Sequence, residues 1–296
     1  MKKQTALNWL VPLIVVLALF SASLGLFIKN DGAPISFTTA RGETVEVWGQ
    51  GLYQYDTPLG ATGFTAADVI TLALAIPILV VSILMYRRGS LTGGLMMTGA
   101  LSYFLYNYTS MGFGAAYNNL FLAYTLIFSA SLYGLILVLL SFDLKTLPSH
   151  FRPDLPRNGI GIFLIVSGII LSLIWLVLSI VPALLISKAP IEAAYYTTFT
   201  TGIIDIGMVA PALILGGVLI RRGTPFGYLL ASTMLIFTCI LGANLTAGGI
   251  LQVTKEVMTI GQAMTFTVPF VILTLIAVWF TVALFRSFSE KPDKQK

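Results

Sequence analysis

Asp205 is the residue of this 296-residue chain whose type and position most directly suggest chemistry. It sits inside a long apolar stretch, in Gly202-Ile203-Ile204-Asp205-Ile206-Gly207. A charge near mid-bilayer costs about 2.5–3.5 kcal/mol on insertion scales, so such residues face a bundle interior or a water-filled cavity. A carboxylate there could hold a cation or accept a proton. Asn107 and Asn244 fall at similar depth on other apolar stretches, with Tyr103, Tyr106 and Thr246 close by in sequence. Their amides and hydroxyls would offer neutral hydrogen bonds to a solute. We expect a ligand-binding cluster of Asp205, Asn107, Asn244, Tyr103, Tyr106 and Thr246 in the outer half of a helix bundle. The competing reading makes Asp205 a cross-link to Thr200, Thr201 or Asn244, since interhelical hydrogen bonds of about 0.6 kcal/mol are ordinary packing glue.

Other chemistries lack their residues. Cys239 is the single cysteine and His150 the single histidine, so no intramolecular disulfide, thiolate cluster or histidine-based metal site can be built. The sequence has no HExxH, G-x-S-x-G or P-loop pattern. No lysine falls within a span, which removes retinal attachment. We expect no catalytic residue, no metal, no cofactor and no enzymatic activity. Cys239 reads as a buried thiol and His150 as a solvated loop residue. Asp68, near the start of a span, reads as a charge favoured by a helix N-terminus.

The elements that must position the cluster follow from composition. The chain is 57% hydrophobic and 10% charged, against about 25% charged in soluble domains. Its apolar residues come in blocks of about 20, the length that crosses a bilayer as a helix. The fold class is an all-α polytopic membrane protein. Eight spans are expected, near 8–28, 67–86, 91–112, 119–141, 160–186, 199–220, 225–248 and 263–285. The first could be a signal peptide, but its apolar run continues through Leu26, Phe27 and Ile28, which favours an uncleaved anchor. Pro77, Pro182, Pro211 and Pro269 are candidate kinks.

Basic residues orient the spans. With a cytoplasmic N-terminus, 13 of the 17 Lys and Arg residues fall on the inside, which fits the positive-inside rule. Both termini are then cytoplasmic, and the basic balance speaks for membrane orientation, not nucleic acid. The loop 29–66 lies outside. Ile35–Thr39 and Thr44–Trp48 are β-prone around the turn Ala40-Arg41-Gly42-Glu43, so a small extracytoplasmic hairpin is expected. The inner loop 142–159 reads as irregular, and the tail 287–296 as charged and disordered.

An internal repeat is also legible. Asn107-Tyr108-Thr109-Ser110-Met111-Gly112 and Asn244-Leu245-Thr246-Ala247-Gly248-Gly249 share the pattern N-x-T-small-x-G. Asp68 and Asp205 recur at the same offset. Arg87-Arg88-Gly89-Ser90 matches Arg221-Arg222-Gly223-Thr224, and Pro77 matches Pro211, after a short gap. A duplicated four-helix unit explains the order, with 1–141 and 160–286 as parallel copies joined by a cytoplasmic linker, 142–159.

Two functions fit. A transporter or permease would bind a small solute or cation in an outward-facing cavity near Asp205. A non-catalytic assembly, sensor or partner subunit would instead use loop 29–66, with Trp48, Tyr53 and Tyr55 as contact surface. Aromatics exposed on that loop favour a partner; aromatics folded over Asp205 favour transport. The stretch Gly42-Glu43-Thr44-Val45-Glu46-Val47-Trp48-Gly49-Gln50-Gly51-Leu52-Tyr53, with Arg87-Arg88-Gly89-Ser90 and Tyr106-Asn107-Tyr108, resembles a group of uncharacterised bacterial multi-pass membrane proteins. The resemblance covers roughly the first half. It implies a bacterial cytoplasmic membrane and transfers no activity.

Overall fold

In the computed structural model, residues 4–30, 32–190, 193 and 195–290 are described. Eight long helices carry the chain. They are α1 (Leu7–Phe27), α2 (Pro58–Arg87), α3 (Leu91–Gly114), α4 (Phe121–Ser141), α5 (Arg157–Leu185), α6 (Thr200–Arg221), α7 (Pro225–Thr254) and α8 (Ile260–Arg286). All but α3 are long and apolar enough to cross a membrane. The chain is therefore an integral membrane protein by length and composition of its helices. α3 can afford Ser102, Tyr103, Tyr106, Asn107 and Tyr108 because α2, α4, α7 and the start of α6 enclose it. A helix shielded by its neighbours need not be apolar all round. Exposed Leu184, Leu275 and Trp279 suit contact with lipid.

α2 begins well before the expected start of the second span. Thr57 accepts from the Gly60 amide (3.1 Å) and Pro58 takes the first helical position. A Thr N-cap followed by proline is a strong helix start. The loop therefore ends at Thr57, and Asp68 lies in the third turn of α2, not at its N-terminus. Asp68 is buried, which corrects its reading as a near-surface helix-end charge.

Three of the four candidate kink prolines have a visible consequence. Wide π turns at Thr71–Ala75, Leu176–Ile180 and Asp205–Val209 stand just ahead of Pro77, Pro182 and Pro211. Proline lacks an amide and clashes with the preceding turn, and a widened turn accommodates both. Pro269 lies inside α8 without such a turn.

The bundle centre is the crossing of α3 and α7. Thr233 donates to Thr98 across it (2.8 Å), and Gly99 leaves room for Ile236 and Phe237. α1 packs on α2 and α4, α2 on α7, α5 on α6, and α8 on α7. α7 is the most buried of the apolar spans and α8 the least.

Two faces result. One carries the α2–α3 and α6–α7 turns, which share one construction. Gly89 and Gly223 adopt positive φ (86° and 69°), where a Cβ would be strained. Ser90 and Thr224 then cap the next helix through the amides of Gly93 (3.1 Å) and Gly227 (3.2 Å). The first and last described residues reach this face, which we term the terminal face: Gln4 bonds Tyr86, and Glu290 bonds Ser90. His150 is buried here, stacked on Phe288, with Nδ1 2.8 Å from the Ser289 carbonyl. It is not a solvated loop residue. The backbone of 287–289 pairs with the 150–152 loop, and the Glu290 side chain is held at the start of α3. So the first four residues of the expected disordered tail are ordered; Lys291–Lys296, like Lys2 and Lys3, lie outside the described residues.

The opposite, hairpin face holds the antiparallel strands β1 (Ile35–Thr38) and β2 (Thr44–Val47), in register Ile35↔Val47 to Thr38↔Thr44. The expected hairpin is therefore present, with slightly shorter strands.

Candidate functional site

Asp205 opens the π turn of α6 and is 4% exposed. Its Oδ2 accepts the indole N–H of Trp175 on α5 at 2.7 Å. Its Oδ1 has no hydrogen-bond partner. The Tyr106 side chain also interacts with this carboxylate. The carboxylate forms part of the wall of a cavity of about 390 Å³, bounded by α2, α3, α5, α6, α7 and α8. Ser167 Oγ, in the same wall, is likewise unpartnered.

The cavity gathers four of the six residues expected at the site: Asp205, Tyr106, Asn107 and Asn244. Asn107 is almost fully buried, its amide 4.0 Å from Met111 Sδ. Tyr103 and Thr246 are not in its wall. Tyr103 turns to the α2 side of α3, towards Thr71 and Asp68. Thr246 spends its hydroxyl on the Gly242 carbonyl one turn back (2.8 Å). Tyr103 shares a helix face with Tyr106 and Asn107 by its i, i+3, i+4 spacing, but its side chain packs against α2 and not into the cavity.

The residues that sequence reasoning missed are aromatic. Trp175 lies well inside a span, and a buried indole N–H usually finds an acceptor; Asp205 was the evident one. Phe199 packs edge-on to Trp175 at 4.9 Å. Tyr196, Thr198 and Phe199 belong to the connection before α6 and line the cavity toward the hairpin face, with Thr57 and Met258. Nothing local in the sequence marked that connection.

Tyr196 also ties the face together. Its hydroxyl donates to Asp56 Oδ1 (2.8 Å) and accepts the Thr57 amide (3.1 Å). The same Asp56 oxygen accepts the Ala116 amide (2.8 Å). One buried carboxylate thus joins three connections. Burial pushes Asp56 up to about 6, against the opposing bonds from Ala116 and Tyr196.

The loop aromatics answer the question of lid against contact surface in an unexpected way. Tyr53 is buried and does fold down, but onto Asp68: its hydroxyl donates to Oδ2 at 2.7 Å. Gly25 on α1 makes this possible, since a Cβ there would come within 1.8 Å of the same oxygen. Trp48 packs partly buried against the core, while Tyr55 is exposed. Among the described residues, the long helices thus hold two buried aspartates, each bonded by an aromatic donor, beside Asp56 in the loop. Only Asp205 borders the cavity.

The fold and the site define a helical integral membrane protein with a largely apolar cavity among its helices that carries a few polar groups. Compared with known protein families, with characterised proteins and with solved structures, the chain matches none.

Proposed function

We propose that this chain is a transporter or permease that binds a small solute or cation beside Asp205. The observation that carries the reading is a buried aspartate, Asp205, with one unpartnered carboxylate oxygen, in the lining of a cavity reaching the hairpin-face loops. A carboxylate serving only to tie α5 to α6 would leave no acceptor unused, because an unsatisfied buried oxygen costs about 1–3 kcal/mol. Asn107, Asn244 and Tyr106 supply neutral polar groups around the same space. The π turns before Pro182 and Pro211 flank the Trp175–Asp205 bond and offer points of bending.

In this reading the terminal face is cytoplasmic, because Arg87, Arg88, Arg221 and Arg222 lie at its turns. The hairpin face, and with it the cavity, then points outward from a bacterial cell membrane. The halves are parallel four-helix copies. The twin Gly89 and Gly223 turns, the Ser90 and Thr224 caps and the two buried aspartates support that duplication. The protein is not an enzyme in this account, and its site needs no cofactor.

The test is uptake of a solute panel into proteoliposomes by the wild type and Asp205→Asn. Loss of uptake with unchanged folding supports the reading; unchanged uptake, or equal loss of folding, overturns it.

A specific observation favours a second reading, a partner subunit docking through loop 29–66. Ile35 and Tyr55 are 59% and 56% exposed on the hairpin face. Photo-crosslinking from Tyr55 in native membranes would trap a discrete partner if it holds.

A further inference from the structure

The chemistry of the cavity wall narrows the ligand, on the reading that the cavity is a solute site. Asp205 is the only ionisable carboxylate in the wall, and no Lys, Arg or His stands among its described lining residues. The wall therefore carries one negative charge and no internal counter-charge. A carboxylate with a free oxygen in a low-dielectric enclosure favours a cationic partner.

The surroundings argue against a bare metal ion. Calcium takes six to eight oxygen ligands, and magnesium demands near-octahedral oxygen geometry. Among the described residues no group of three or more His, Cys, Asp or Glu could hold a metal. Asp205 instead has aromatic neighbours: Trp175 is bonded to it, Phe199 packs on Trp175, and Tyr106 packs edge-on against Phe237 at 5.7 Å. All four rings line the cavity, with Phe270 and Tyr196. Aromatic faces attract organic cations, and such cages recognise quaternary ammonium groups. A volume of about 390 Å³ lies within the roughly 300–1,000 Å³ of small-molecule sites.

We infer that the cavity takes an organic ammonium ion with an apolar body, its charge paired with the Asp205 carboxylate and its body against the Trp175, Phe199 and Phe237 rings. The neutral amides of Asn107 and Asn244 then serve polar substituents. A free amine and a lipid with an ammonium headgroup share this chemistry.

The test is a titration of the full chain in dodecyl maltoside micelles, whose headgroup carries no ammonium. Benzyltrimethylammonium is the probe. Neopentylbenzene, its uncharged carbon isostere at matched free concentration, and sodium chloride are the comparisons. Saturable binding of the cation is expected, at least ten-fold tighter than the isostere and not displaced by sodium. Asp205→Asn should weaken the cation ten-fold or more and leave the isostere unchanged. Phe199→Leu keeps the carboxylate and should weaken the cation several-fold. Should the Asn variant fail to fold, the isostere comparison and Phe199→Leu decide alone. Displacement by added phosphatidylethanolamine would assign the site to a lipid headgroup, and no displacement to a soluble amine; both keep the ammonium chemistry. Equal binding of cation and isostere, or displacement by sodium, overturns it while leaving a solute cavity in place. Absence of saturable binding by either probe also overturns it, and a solute found in the uptake panel would keep the transport reading alive.

Discussion

Trp175 on α5 and Asp205 on α6 are joined by a 2.7 Å hydrogen bond that engages one carboxylate oxygen and leaves the other buried without a geometric hydrogen-bond partner. The bond fixes the orientation of a carboxylate that belongs to the cavity lining and whose second oxygen is buried. The same bond couples two helices that each carry a π turn beside it.

Trp175→Phe keeps the ring and removes the donor. Both carboxylate oxygens then lack a partner, at a cost of about 1–3 kcal/mol. Thermal unfolding of Trp175→Phe, Asp205→Leu and the double variant measures the coupling. The two losses should be strongly non-additive; additivity would mean that the bond contributes nothing.

Asp56 makes stability depend on pH. Its folded value of about 6 lies above the ordinary 3.8 because of burial. Protonation therefore favours the folded state. The contribution is fully present below about pH 4 and is lost as pH rises through 6, by at most about 3 kcal/mol. The melting temperature should fall over that interval, and Asp56→Asn should flatten this part of the profile. An unchanged profile in the variant would contradict the assignment.

Glu290 should pin the end of the chain to α3. Its carboxylate accepts from Ser90 Oγ (2.6 Å) and from the Leu91 (2.9 Å) and Thr92 (3.1 Å) amides. Burial alone raises its pKa, but these bonds outweigh that and hold it below the ordinary value. Its contribution is present above the ordinary carboxylate range and is lost as pH falls through the folded value. Glu290→Gln should raise amide exchange at 287–290 and cost about 0.3–1 kcal/mol, as a charge at a helix N-terminus does.

The twin turns should respond alike. Gly89→Ala and Gly223→Ala each force a Cβ onto positive φ, which costs roughly 1 kcal/mol or more apiece. Chemical denaturation of both variants should give similar losses. A large inequality would argue that the turns are not equivalent.

The helices were legible because hydrophobic length is a local property. All eight expected segments correspond to helices, with ends displaced where a cap was not recognised, as at Thr57-Pro58. That displacement had a cost. With the second span begun at residue 67, Asp68 looked superficial, and its bond to Tyr53 could not be anticipated. His150 illustrates the same limit: its burial depends on pairing with Ser289, far away in sequence. At the site, polar residues inside apolar stretches pointed to Asp205, Asn107, Asn244 and Tyr106. That Tyr103 would pack against α2 although its spacing puts it on the face of Tyr106 and Asn107, and that the connection before α6 would bring Tyr196 and Phe199 over the cavity, depended on long-range packing.

The most direct measurement is chemical access to the cavity from the hairpin side. In a Cys239→Ser background, Asn244→Cys is exposed in oriented vesicles to a cationic trimethylammonium thiosulfonate and to its neutral methyl counterpart. The account predicts modification by both from the hairpin face, with the cationic reagent slowed several-fold by Asp205→Asn and the neutral one unaffected. No reaction from that face, or identical behaviour of the two reagents toward Asp205→Asn, would contradict it.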